Sequence, residues 1–123
     1  MNRIDLTQAE WQLMEKLWDY APQTGRELTE AMAAQTGWNR STTLTLLRRL
    51  MEKGAVRCDA QGRKNVFYPA VRREDAAAQQ TRDLLGRVYK GRMSMLVSEM
   101  TKREALPQRE IDELRQFLDD MSR

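Results

Sequence analysis

The chain has 123 residues, one cysteine, no histidine and a formal charge of +3 at pH 7; that length holds one domain, or a small domain with an appendage, around a modest core. Without histidine the commonest general base and metal ligand are missing, and a zinc or copper site built almost wholly from carboxylates suits neither metal. With no phosphate-cradling glycine loop or nucleophile elbow either, enzymatic activity, a bound cofactor and a metal are not expected.

In chain order, Thr7 and Glu10 form a capping box that opens a helix with Trp11, Leu13, Met14, Leu17 and Trp18 on its apolar face. Ala21-Pro22 ends it. Thr24-Gly-Arg-Glu27 is a second capping box, leading into a short helix with Leu28, Ala31 and Met32 facing inward. Gln35-Thr36-Gly37 makes the next turn. Two short helices, a tight turn and an amphipathic third helix give a helix-turn-helix order.

That third helix is WNRSTTLTLLRRLMEKG, Trp38 to Gly54. Asn39 is its N-cap, Trp38 is placed to staple onto Thr43, and Gly54 supplies the left-handed residue past the last turn. Thr43, Leu46, Leu47 and Leu50 fall at i, i+3, i+4 and i+7, the buried stripe of an amphipathic helix. Ser41, Thr45, Arg48 and Glu52 lie opposite, flanked by Thr42 and Arg49 on one side and Leu44 on the other. Hydroxyls near the N-terminus followed by arginines suit a helix in the DNA major groove, where the first turn reaches base edges and guanidiniums grip phosphate. An ordinary surface helix with a solvated polar face would show the same division.

After Gly54 the period changes. Ala55–Cys58 and Lys64–Tyr68 are β-prone runs joined by a loop over Asp59–Arg63, which reads as a hairpin with Arg63 and Lys64 at its tip. Directly behind a recognition helix, a hairpin is the wing of a winged helix. Cys58 is expected to pack as a small hydrophobe.

From Arg72 the pattern is helical again. Ala77, Thr81, Leu84, Leu85 and Val88 share one face before Tyr89-Lys90-Gly91 interrupts it. Met93, Leu96, Val97 and Met100 share another, and Pro107 near the N1 position starts a last helix. Ile111, Leu114, Leu118 and Met121, with Phe117 alongside, form a short a/d seam. The methionines here, Met95 included, read as core filler. This half has more apolar surface than one chain can bury, so a dimerisation arm is the preferred account. Two heads whose recognition helices enter successive major grooves, roughly 34–36 Å apart, would read a palindrome with avidity.

The charge is unevenly placed. From Arg40 to Lys64 there are seven cations (Arg40, Arg48, Arg49, Lys53, Arg57, Arg63, Lys64) against Glu52 and Asp59, whereas Glu104 to Arg123 holds six carboxylates against three arginines. A basic middle with an acidic tail is the footprint of a polyanion on one part of the molecule. No run approaches the roughly 20 apolar residues of a membrane span, and MNRIDLTQAEW lacks the apolar core of a signal peptide. With a lone Cys58, these features lead us to expect a cytoplasmic protein without membrane insertion.

The expected fold is mainly α: an N-terminal winged helix-turn-helix (three helices plus a small β-hairpin wing) over residues 1–70, followed by a C-terminal helical dimerisation region over 71–123. Three functions are compatible in principle with a chain of this kind: a DNA-binding repressor, a winged-helix protein-interaction module without specific DNA binding, and an enzyme, for which no constellation exists.

Order and spacing resemble the penicillinase-repressor family, the BlaI/MecI/CopY-type winged-helix repressors. The matching pieces are Thr7-Gln-Ala-Glu-x-x-x-Met14-x-x-x-Trp18, Trp38-x-x-x-Thr42-x-x-Thr45-x-x-x-Arg49-Leu50-x-x-Lys53-Gly54-Ala55, Gly62-Arg63, Phe67-Tyr68-Pro69, Tyr89-x-Gly91, Leu106 and Ile111-Asp-Glu-Leu114. They span nearly the whole chain. The resemblance implies a homodimeric repressor on a dyad-symmetric operator of double-stranded DNA, with Ser41, Thr42 and Thr45 touching bases and Arg49 matching a family arginine. Ser41 and Leu44 differ from the residues usual in the family, so the operator sequence does not carry over. Penicillinase-type relatives are released when a regulatory membrane protease cuts an Asn-Phe bond. Here the aligned pair is Glu99-Met100, and the recognised residues are absent. The cysteine cluster of the copper-responsive branch is absent from Leu106–Arg123, so the resemblance gives no metal and leaves the inducer open.

Overall fold

The structure is a computed structural model that describes residues 3–123. Its elements are α1 (Gln8–Asp19), β1 (Gln23–Thr24), α2 (Gly25–Thr36), α3 (Arg40–Glu52), β2 (Val56–Gln61), β3 (Lys64–Pro69), α4 (Arg73–Tyr89), α5 (Met93–Arg103) and α6 (Gln108–Met121). Capping starts the first three helices where the sequence places it. Thr7 Oγ1 accepts from the Glu10 amide at 3.1 Å while Glu10 Oε1 accepts from the Thr7 amide at 2.8 Å. Thr24 and Glu27 repeat the exchange, with both hydrogen bonds at 3.1 Å. Asn39 Oδ1 accepts from the Thr42 amide at 2.8 Å.

The far end of α3 closes as a Schellman motif. The Gly54 amide donates to the Met51 carbonyl at 3.0 Å and the Ala55 amide to the Leu50 carbonyl at 2.9 Å. This needs Gly54 at φ +81°, where a Cβ is disfavoured. The chain leaves directly into β2.

Two compact units divide the chain, one ending at Ala78 and the other spanning Gln79–Arg123. In the first, Leu13, Met14 and Leu17 of α1, Leu28 and Met32 of α2, and Leu46, Leu47 and Leu50 of α3 pack over Ala55, Val56 and Phe67. Several of these are fully buried, and each such Leu or Met side chain contributes about 1.5–3 kcal/mol. The sheet is antiparallel, in the order β1-β3-β2. This is a winged helix-turn-helix.

Three details depart from the sequence reading. The hairpin turn is Gly62-Arg63, not a five-residue loop, because β2 runs on through Asp59–Gln61 to pair Gln61 with Lys64. Gly62 at φ +63° permits the tight reversal. Backbone pairing needs no apolar side chain, so a polar strand was hidden. The strand β1 is two residues long, too short for a period. Cys58 is exposed: β2 is an edge strand whose helix-covered part ends at Val56.

In the second unit, α5 and α6 follow the break at Lys90 (φ +54°) and Gly91 (φ +84°). Pro107 stands just before α6 as its N-cap rather than within it. No residue of α4, α5 or α6 is fully buried. The methionines read as core filler are exposed in the single chain: Met93 by 59 %, Met100 by 51 % and Met121 by 81 %. Among the described residues, no helix is long and apolar enough to cross a membrane.

Candidate nucleic-acid interface

Helix α3 is held by one face only. Thr43, Leu46, Leu47 and Leu50 are buried, while Ser41, Thr42, Arg48 and Arg49 are exposed and Thr45 is half-buried. Two shallow hollows run along the outer side. One is lined by Arg40, Ser41, Leu44, Thr45 and Arg48, the other by Ala9, Trp38, Ser41, Thr42, Thr45, Leu46 and Arg49. Ser41 and Thr45 belong to both, so these two hydroxyl side chains, one helical turn apart, form the ridge between them. Arg48 stands on one flank and Arg49 on the other.

The placement of Leu44 is resolved by its neighbours. A Cβ built on Gly25 would lie 3.8 Å from both Leu44 Cδ2 and Phe67 Cε2. Leu44 therefore packs where the start of α2 meets the sheet, and it is half-buried against the core.

The cations sort into two groups. Lys53 donates to Glu10 Oε1 and to the Asp5 carbonyl, both at 2.6 Å. The Arg57 guanidinium lies 4.8 Å from the centre of the Tyr68 ring and 3.6 Å from Asp59. Both belong to the basic run of the sequence, yet the fold engages them internally. Among the described residues, Arg40, Arg48, Arg49 and Arg63 take part in no ion pair. Unpaired guanidiniums on a hydroxyl-bearing face keep their full charge for an external anion.

At the wing, Arg63 and Lys64 separate. Arg63 is in the turn and exposed. Lys64 shares a third hollow with Thr24, Gly25, Arg26, Asn65 and Phe67. Its charge adds to the lowering of the Glu27 carboxyl below the usual range, an effect led by the Thr24 backbone hydrogen bond. Arg26 and Asn65 were missed from sequence, because only β1–β3 pairing brings the first turn of α2 beside the wing.

The residues assigned to dimerisation lie on α5 and α6. Leu96, Val97, Ile111 and Leu114 are half-buried, and Met93, Met100, Phe117, Leu118 and Met121 are exposed. Glu99 and Met100, at the aligned cleavage position, are inside α5, where Glu99 pairs with Arg103 at 2.6 Å.

Comparison with known proteins adds to this geometry. The chain is 29% identical over 114 residues to the methicillin resistance regulatory protein MecI of Staphylococcus aureus (strain N315), covering 93% of each chain. It is 27% identical over 121 residues to the penicillinase repressor of Bacillus licheniformis, covering 98% of this chain and 94% of that one. A solution structure of the monomeric form of B. licheniformis BlaI in complex with the blaP half-operator superposes with a TM-score of 0.55. It is 28% identical, and the match covers 61% of this chain and 93% of that one. Residues 6–120 match the profile of the penicillinase repressor family. With a winged helix whose unpaired arginines flank a hydroxyl ridge, the chain belongs to that family of DNA-binding transcriptional repressors.

Proposed function

We propose that this protein is a homodimeric repressor that binds a palindromic operator. Ser41, Thr42 and Thr45 read base edges in the major groove, and Arg40, Arg48, Arg49, Arg63 and Lys64 bind phosphates. The observation that carries this reading is the ridge of Ser41 and Thr45 between two hollows bordered by arginines that form no ion pair among the described residues. Hydroxyls accept or donate at base edges, and arginine is suited to phosphate.

Pairing is supported by the second unit. It offers apolar faces on α5 and α6, Met93, Leu96, Val97 and Met100 on one and Ile111, Leu114, Phe117, Leu118 and Met121 on the other, yet buries no residue of either helix fully. A unit of this size without a closed core gains stability when a second copy covers those faces. The charge is also uneven along the chain, with cations concentrated from Arg40 to Lys64 and carboxylates from Glu104 onward, so attraction for a polyanion is concentrated on the α3 and wing segment.

Selection of bound duplexes from a random pool at physiological salt tests symmetry, sequence and half-site spacing together. The expected result is a palindrome bound at nanomolar-range affinity that weakens steeply with salt. Recovery of no sequence, with binding indifferent to salt, would instead favour a protein-interaction module.

A further inference from the structure

The face of α1 that carries Trp11, Glu15 and Trp18 holds a polar and aromatic cluster that lines neither hollow beside Ser41 and Thr45. Arg73, the first residue of α4, donates from Nη2 to Glu15 Oε1 at 2.8 Å. Its Nε lies 3.2 and 3.3 Å from the two carboxylate oxygens. Glu15 Oε1 also accepts from Trp11 Nε1 at 2.8 Å, and the Arg73 guanidinium stands 5.7 Å from the centre of the Trp11 ring. Trp11 meets Trp18 edge-on at 5.1 Å, and Trp18 Nε1 donates to the Val71 carbonyl at 2.9 Å.

Two separate pins thus hold the segment entering α4 against α1. They grip different groups: a backbone carbonyl at Val71 and a side-chain fork at Arg73. Fork-to-carboxylate contact fixes direction as well as distance, which a single ammonium could not do. Arg73 first, then Trp11, holds the Glu15 carboxyl below its usual range despite some desolvation. The neighbouring Arg72 differs: it pairs within its own segment, with Glu74 at 2.6 Å.

We propose that Trp11, Glu15, Trp18 and Arg73 form a clasp that fixes where and in what direction α4 leaves the DNA-binding unit. The clasp thereby sets the separation of two paired heads without touching DNA. This rests on the paired-head reading above. A loose joint would let the heads sample many separations and dilute the one an operator needs, whereas a pinned joint keeps the effective concentration of the second head high. These four are positioning residues.

The native Cys58, the chain's single cysteine, is exposed on the wing and gives one spin-label site per head. Dipolar distance measurement on the labelled full chain, free of DNA, reads the head-to-head distribution directly. The expected result is a narrow distribution for the parent, a clearly broader one for Glu15→Gln, Arg73→Ala and the milder Trp11→Phe, and no change for Arg72→Ala. The same three variants should lose about ten-fold in affinity for the selected palindrome while keeping their affinity for a single half-site. Absence of any dipolar signal in the parent overturns pairing and this proposal together. A broad parent distribution, variants as narrow as the parent, or equal broadening by Arg72→Ala overturns the clasp and leaves pairing standing.

Discussion

Lys53 Nζ lies 2.6 Å from Glu10 Oε1, tying the C-terminal end of α3 to the first turn of α1. Glu10 is only 1 % exposed, and its other oxygen, Oε2, is buried with no hydrogen-bond partner. The carboxylate thus depends on Lys53 and on the capping contacts from Thr7. Burial alone would push its pKa up, but the hydrogen bonds from Lys53 and Thr7 outweigh burial, and the carboxyl sits below the usual range.

Lys53→Met should therefore cost about 2–3 kcal/mol, less than the ~3–5 for breaking a fully buried pair, because the ammonium is partly exposed. The pH dependence has a definite sign. A folded-state pKa below the unfolded value gives stability that is present above the unfolded value, about 4.3 for glutamate, and lost as pH falls through the folded one. Thermal melting of the parent between about pH 6 and pH 3 should show this loss, and Lys53→Met should show less of it. Equal acid sensitivity in both would remove Glu10 from the account.

Thr45→Ala should weaken operator binding by about 1–3 kcal/mol and relax preference at one base pair. Arg63→Ala should weaken all sequences alike and lower the salt slope by about one. Titrations on the selected palindrome and on random duplex separate the two. A Thr45→Ala loss of equal size on random duplex would move the reading face away from the Ser41–Thr45 ridge.

Leu114→Asp or Leu118→Asp places a carboxylate on the apolar side of α6 and should give monomers in sedimentation, with most operator affinity gone. The first unit should melt as before, since its core lies in other elements. An intact dimer would count against the α6 seam.

Two glycines should respond oppositely to alanine. Gly54 is at φ +81° with nothing within 4 Å of a built Cβ, so the cost is backbone strain alone, about 1 kcal/mol. Gly86 lies inside α4 with equally open space and no left-handed φ, so Gly86→Ala should add about 0.5–1 kcal/mol through helix propensity and a less flexible unfolded chain. Denaturant midpoints of the two variants check both signs.

Local chemistry made much of this readable in one dimension. Capping boxes at Thr7-Glu10 and Thr24-Glu27, the Asn39 and Gly54 ends of α3, and the stripe Thr43-Leu46-Leu47-Leu50 all act within a few residues, and α3 came out as the pattern required. Family motifs spread from Thr7 to Leu114 did the same for the kind of protein.

Tertiary structure decided what depends on partners distant in sequence. Whether a cation belongs to a surface or to the scaffold is settled by what folding brings near it. Lys53 meets Glu10 across 43 residues and Arg73 meets Glu15 across 58, and no periodicity encodes either. Cys58 is exposed for the same reason: its residue type suggested packing as a small hydrophobe, but only the folded sheet showed that β2 outruns its helical cover. Side-chain period and capping are properties of a backbone segment; burial and pairing are properties of the whole packed chain.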